Sequence, residues 1–255
     1  MKMVGLLFIW LMAFQSFGQE VVIGYSDLAS PPYIVGGSGS VNSKSPGVTV
    51  ELIRLVSNQV GVDVVFKRAP WSRVLKMAKH NQVDAVFHAS FKEARTLFLE
   101  YPMNQGEVDK SKYLKRQRYF LYKLKNAHIY SDNGVIFSIT GKVGVTTHYA
   151  ILSDLAKQGL NIKETINAYK GLELLSKGRI EGWVGLESIT DGVLKSHEKF
   201  GTITKEPWAL SDDYSYLAFS KAFYQQHPDL AHSLWQQIES TTASAVYQKL
   251  FEKYQ

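Results

Sequence analysis

Val83-Asp84-Ala85-Val86-Phe87 is a short apolar run with one acid in it, and no other stretch restricts the fold as strongly. A strand that is apolar at successive positions cannot leave a face in water, so it belongs inside a sheet covered on both sides. The upstream sequence supplies the cover. Trp71, Val74, Leu75 and Ala78 recur at helical spacing and predict a helix over 71–79. Residues 19–25 and 62–66 read as strands. Val48, Leu52, Leu55, Val56 and Val60 line one face of a helix over 47–61, which Gly61 terminates. The order strand, helix, strand, helix, strand implies a parallel sheet with right-handed crossovers.

After Pro102 the pattern changes. Residues 113–125 read as extended and tyrosine-rich. The strand–helix rhythm restarts at 142–146, with helices around 149–158 and 169–177, a turn and strand over 178–185, and a helix near 188–197. Residues 214–219 read as one more strand, and Pro228-Asp229 opens a closing helix. The expected class is α/β: two lobes of similar logic, two chain crossings between them, and a cleft where small ligands bind.

The first residues stand apart. Met1-Lys2-Met3 is a basic start, residues 4–14 form an apolar run of 11, and Ser16 and Gly18 supply small residues before a cut at Gln19. That is the pattern of a cleavable signal peptide over 1–18; the run is well short of the ~20 residues a spanning helix needs. No cysteine follows it, so a lipid anchor there is excluded. The expected location is the periplasm. The chain has no cysteine at all, which excludes thiol chemistry and leaves stability to packing.

Removing Lys2 with the leader lowers the formal charge from +6 to +5. The densest basic stretch, Lys110, Lys112, Lys115, Arg116, Arg118, Lys123 and Lys125, has no nucleic-acid reading motif, so no nucleic-acid partner is expected. A mildly basic body favours an anionic ligand. The histidines, His128 and His148 among them, lack metal-ligand spacing, so neither a metal nor a cofactor is expected.

Ligands in open α/β sheets lie beyond the carboxyl ends of strands, which draws attention to Ser90 and Arg95 after the 83–87 run. A guanidinium matches a carboxylate with two parallel hydrogen bonds. On spacing alone, Arg95 reads more readily as an exposed residue paired with Glu93 or solvent, as most arginines are.

Several stretches together resemble the family 3 extracellular solute-binding proteins, the polar-amino-acid-binding proteins of bacterial ABC transporters. They are Pro31-Pro32-Tyr33, Gly47-Val48-Thr49-Val50-Glu51-Leu52, Val83-Asp84-Ala85, Arg95, Tyr101-Pro102, Lys142-Val143-Gly144-Val145-Thr146-Thr147, Lys177-Gly178-Arg179-Ile180-Glu181, and the 214–219 strand with Ser220-Lys221. Pro70-Trp71-Ser72-Arg73 looks like a proteobacterial branch of that family. The resemblance covers nearly all of the mature chain.

It implies a type II periplasmic-binding-protein fold that closes by hinge motion, with 19–112 and 213–255 as one lobe and 113–212 as the other. It implies that Arg95 clamps a ligand carboxylate, that Ser90, Thr146 and Thr147 donate to it, and that Tyr33 and Trp71 stack on or wall off the ligand. Two departures are visible. His88 stands where a small polar residue is common. The acid expected to bind an α-ammonium is offered only as Glu187, one residue late, with Asp27 as a second candidate. The implied function is a monomeric periplasmic protein that captures a small carboxylate-bearing ligand, an amino acid or a relative, for an inner-membrane ABC permease. Two alternatives stay open. One is a periplasmic dehydratase of the prephenate or arogenate type, with His88 and Glu187 as its acid/base candidates. The other is a sensory receptor for a membrane signalling partner.

Overall fold

The computed structural model describes residues 20–37 and 44–254. The signal peptide expected over 1–18 and part of the glycine- and serine-rich stretch before Pro46 lie outside the described residues. In chain order the elements are β1 (Glu20–Ser26), α1 (Val48–Gln59), β2 (Asp63–Ala69), α2 (Trp71–Lys79), β3 (Ala85–Ser90), β4 (Leu99–Glu100), β5 (Met103–Asn104), β6 (Glu107–Val108) and β7 (Lys115–Leu124). They continue with β8 (Tyr130–Asp132), β9 (Val135–Phe137), β10 (Lys142–Thr146), α3 (Leu152–Lys157), β11 (Asn161–Thr165), α4 (Ala168–Ser176), β12 (Gly182–Leu186), α5 (Glu187–Lys195), β13 (Ile203–Ser220), α6 (Lys221–Gln226), α7 (Pro228–Thr242) and α8 (Ala245–Glu252).

One sheet of nine strands organises the chain, in the order β11-β10-β12-β7-β13-β3-β1-β2, with β4 also on β13. Its two ends are parallel units. At one end β1 pairs with β2 and β3; at the other β10 pairs with β11 and β12. Between them β7 and β13 run antiparallel to each other, and each joins one unit: β13 to β3, and β7 to β12. These two strands are therefore the seam of the molecule.

Each unit is covered on both faces, as the apolar runs require. Val21, Ile23 and Tyr25 of β1 pack with Phe87 against Leu52, Ile53 and Val56 of α1 and Leu234, Trp235 and Ile238 of α7. The opposite face packs Val86 against Val74 and Ala78 of α2. Along β7 the alternation repeats: Tyr119 and Leu121 join Val143, Val145, Val184 and Leu155, while Phe120 and Tyr122 join Trp183, Leu172 and Leu175. Burial of a Leu or Phe side chain stabilises by ~1.5–3 kcal/mol, so four such clusters account for a stable fold without disulfides.

The structure extends the expected elements in two places. The expected strand over 214–219 is the last third of β13, which runs for 18 residues. Its first part, from Ile203, is polar and partly exposed with register shifts against β7 near Ala209, so no period-2 apolar signal marks it. The short β11 is likewise exposed at Asn161, Lys163 and Glu164, and edge strands carry little apolar signal.

A close approach fixes one helix. A Cβ placed on Gly171 of α4 would lie 2.2 Å from ring carbons of the fully buried Trp183. Gly171→Ala should lower unfolding stability by about 1–3 kcal/mol, the usual range for overpacking. Urea titration followed by tryptophan fluorescence measures it; an unchanged midpoint would show that α4 and Trp183 can move apart freely.

Candidate functional site

A cavity opens beyond the carboxyl ends of β1, β3, β10 and β12, where ligands bind in α/β sheets. Both parallel units and the seam strand β7 contribute to its wall, and about 510 Å³ between them is free of protein atoms, open solvent at the mouth included. Much of the lining is apolar or aromatic: Leu28, Ile34, Phe87, Leu186 and Ile189, with Tyr119 and Tyr149.

Arg95 lies in this wall and is only 8% exposed. Its Nη1 donates to the Ser90 carbonyl at 2.9 Å, and its Nη2 to the His148 carbonyl at 3.0 Å, across to the β10 unit. Tyr101 donates to the same Ser90 carbonyl at 3.0 Å; burial pushes its phenol up to about 12, so it stays protonated. The Trp71 ring stands 5.7 Å from the guanidinium carbon. Among the described residues no carboxylate pairs with Arg95, so its charge is buried against neutral groups alone.

The strand that carries this arginine is bent by a bulge. β3 pairs Phe87 with Leu217 and Ala89 with Tyr216, so His88 has no partner on β13, and its φ is +60°. The bulge reverses the alternation: Phe87 faces the α1 side, yet Ala89 packs on the α2 side with Val86. Ser90 is thereby delivered to the cavity wall, where its hydroxyl donates to Gln117 Oε1 at 2.9 Å. The strand runs on past the 83–87 apolar run to Ser90 because β13 pairs with Ala89 and Ser90. The His88 ring also lines the cavity and lies 2.9 Å from the Thr49 hydroxyl through Nε2. Burial, aided by the nearby Lys115, holds its imidazolium well below the ordinary range, so His88 is neutral.

Lys115 is the residue that the sequence reading left inside a basic stretch. It is 4% exposed and lines the cavity. Its ammonium donates to Ser30 Oγ at 2.6 Å and to Ser188 Oγ at 2.8 Å, one from each side, and sits 4.7 Å above the Tyr33 ring. Desolvation lowers its pKa to about 7, against an opposing pull from Glu187. The structure separates it from its neighbours by alternation: at the start of β7, Lys115, Gln117 and Tyr119 are buried while Arg116 and Arg118 are exposed.

The other expected site residues divide into three groups. Trp71 lines the cavity; Tyr33 lies under Lys115 and meets the His88 ring edge-on at 5.9 Å. Thr146, Thr147 and Asp27 line an adjoining recess that shares Leu28, Trp71 and Tyr149 with the cavity. The Thr147 hydroxyl already donates to the Thr165 carbonyl at 3.2 Å. Glu187 is turned away: it pairs with Arg118 and, at 3.0 Å, with Lys205, while its neighbour Leu186 lines the cavity. No Asp or Glu is in the cavity wall among the described residues.

Residues 22–255 match the family described as bacterial extracellular solute-binding proteins, family 3. The chain belongs to that family. No curated protein matches it by sequence. Three solved structures show the fold of this family 3 protein. A histidine kinase sensor domain with similarity to periplasmic binding proteins superposes with a TM-score of 0.74 at 15% identity, covering 93% of this chain and 96% of its own. An ancestral arginine-binding protein bound to arginine gives 0.69 at 18%, covering 92% and 97%. The GluR0 ligand-binding core from Nostoc punctiforme in complex with L-glutamate gives 0.67 at 13%, covering 92% and 98%. The fold is thus the periplasmic-binding-protein type II architecture. Among the described residues no helix is long and apolar enough to cross a membrane.

Chemically, the family 3 site presents cations and hydroxyls to an apolar pocket. The structure does not bring His88 and Glu187 together: His88 contacts Thr49 at the cavity wall, while Glu187 pairs with Arg118 and Lys205.

The buried amine has a pH signature. Unfolded, Lys115 titrates near 10.5; folded, near 7. Between these values the unfolded chain binds more protons, so this group adds stability as pH rises from about 7 to 10.5, and its penalty is full below 7. Lys115→Met should raise the melting temperature of the ligand-free protein at pH 6–7, and the gain should shrink toward pH 10. Parallel thermal melts of both proteins across that range check it, and a gain that does not vary with pH would refute it.

Proposed function

We propose that this family 3 protein is exported to the periplasm, closes on a small carboxylate-bearing solute, an amino acid or a related compound, and presents it to an inner-membrane ABC permease. The observation that carries this reading is Arg95: a buried guanidinium at a cavity wall, facing carbonyls and no acid. A buried charge without a counter-charge is costly, and a ligand carboxylate would supply one. Ser90 orients the arginine through its carbonyl, and Trp71 covers the guanidinium plane. Residues 19–112 and 213–255 form one lobe in this reading and 113–212 the other, with β7 and β13 as the hinge strands. Assignment to the branch marked by Pro70-Trp71-Ser72-Arg73 rests on those four residues.

A sensory role is the second reading, favoured by the likeness to a histidine kinase sensor domain. It uses the same cleft and differs only in the membrane protein that receives the closed form.

Native mass spectrometry of freshly purified protein should show an adduct of small-molecule mass, which identifies the solute. Calorimetry with that solute should then show Arg95→Ala weakening binding by about 2–5 kcal/mol, the range for truncating one partner of a buried charge pair. Unchanged affinity would remove Arg95 from the site and the reading with it.

A further inference from the structure

Resting on the reading of the cleft as a carboxylate site, we propose that its ligand is a small dianion with a hydrocarbon spacer and no ammonium group, whose second anionic end is taken by Lys115.

Three observations converge. First, Lys115 is a second buried basic group with no acid in contact among the described residues; Glu187 acts on it without an ion pair. Its partners, Ser30 and Ser188, are neutral hydroxyls that also bond to each other at 2.9 Å, so they remain satisfied if the ammonium swings to an anion. Second, among the described residues no acid lines this cavity, and Asp27 faces only the adjoining recess. Glu187 is spent on Arg118 and Lys205, Asp191 on Lys205 and Tyr122, and Leu186 occupies the wall beside them. An α-ammonium held between Arg95 and Lys115 would meet two basic groups and no acid of the cavity wall. Third, the surface alongside the two cations is hydrocarbon, from Leu28, Ile34, Phe87 and Ile189.

The two basic groups are also linked through the sheet. Lys115 and Gln117 lie on the same face of β7, about 7 Å apart along the strand. Gln117 accepts from Ser90, and the Ser90 carbonyl holds Arg95. The two groups are therefore coupled through one strand and two hydrogen bonds, and both line the same cavity.

The test is titration calorimetry with succinate, glutarate, adipate and phthalate as dianions, pentanoate as the monoanion, and L-glutamate as the zwitterionic counterpart of glutarate. At least one dianion should bind more tightly than pentanoate, and glutarate more tightly than L-glutamate, each by about tenfold or more, the size of a modest charge-pair contribution. Lys115→Met should abolish the preference for the dianion over pentanoate. Lys115→Gln, which keeps hydrogen-bond donors without the charge, should do the same and serves where the methionine variant folds poorly. Arg95→Ala should weaken every carboxylate. If L-glutamate binds more tightly than glutarate, or the dianion preference survives the loss of Lys115, this inference falls while an Arg95-dependent carboxylate site stands. If none of the dianions binds but pentanoate or L-glutamate does, it falls likewise. If no carboxylate binds at all, the carboxylate reading itself falls and this inference with it.

Discussion

Two cations are buried here against neutral groups, and the rest of the site is arranged around that fact. Moving a charge out of water costs several kcal/mol even after relaxation, and proteins usually meet the cost with an acid. Arg95 meets it with two carbonyls and an aromatic face, Lys115 with two hydroxyls and another ring. Neutral acceptors compensate only in part. For Lys115 the shortfall shows as a lowered proton affinity; a guanidinium cannot relieve itself that way because it does not lose its proton. Both shortfalls face the same cavity, so a single anionic guest would relieve them together.

The sheet explains how such costly groups can be held in place. Arg95 follows β3, Lys115 opens β7, and β13 pairs with both strands. The bulge at His88 is the decisive detail. A regular β3 would send residue 90 to the opposite face, and the Ser90 hydroxyl and carbonyl would not link Gln117 to Arg95. A left-handed non-glycine residue is unfavourable, and here the Thr49 contact and the rings of Tyr33 and Phe87 hold it. The strain sits beside the ligand cavity rather than in the core.

The parallel units were legible because their signals are local. Apolar runs and helical spacing place β1 to β3 and α1 and α2 within a few residues, and burial on both faces follows from the same runs. The seam was only half legible. The start of β13 is polar and irregular, since a strand between two units buries little of itself there. In the site, Arg95 could be picked out by its place after a buried strand. Lys115 could not be told from its basic neighbours without reading the alternation of burial along β7, which depends on knowing that β7 is a strand with one covered face. Ser188 and Leu186 were hidden for a different reason. The sequence offers Glu187 between them, and only the geometry shows the acid turned toward Arg118 and Lys205 while Leu186 lines the cavity and Ser188 accepts from Lys115.

The same bonds that leave the cations undercompensated also join the two parallel units. Arg95 reaches the His148 carbonyl after β10, and Lys115 ties Ser30 after β1 to Ser188 in α5. Lys92 and Asp154 add an ion pair across the same mouth, but both are partly exposed, and such pairs contribute little. Closure in this arrangement rests mainly on cation-to-neutral bonds, which are individually modest. An anion held by both cations would add ion pairs made only when the units are together, and that difference in affinity between open and closed forms is what a ligand needs in order to drive a closure. The undercompensated charges would then be the means by which occupancy is turned into shape, which is the property a membrane partner would recognise.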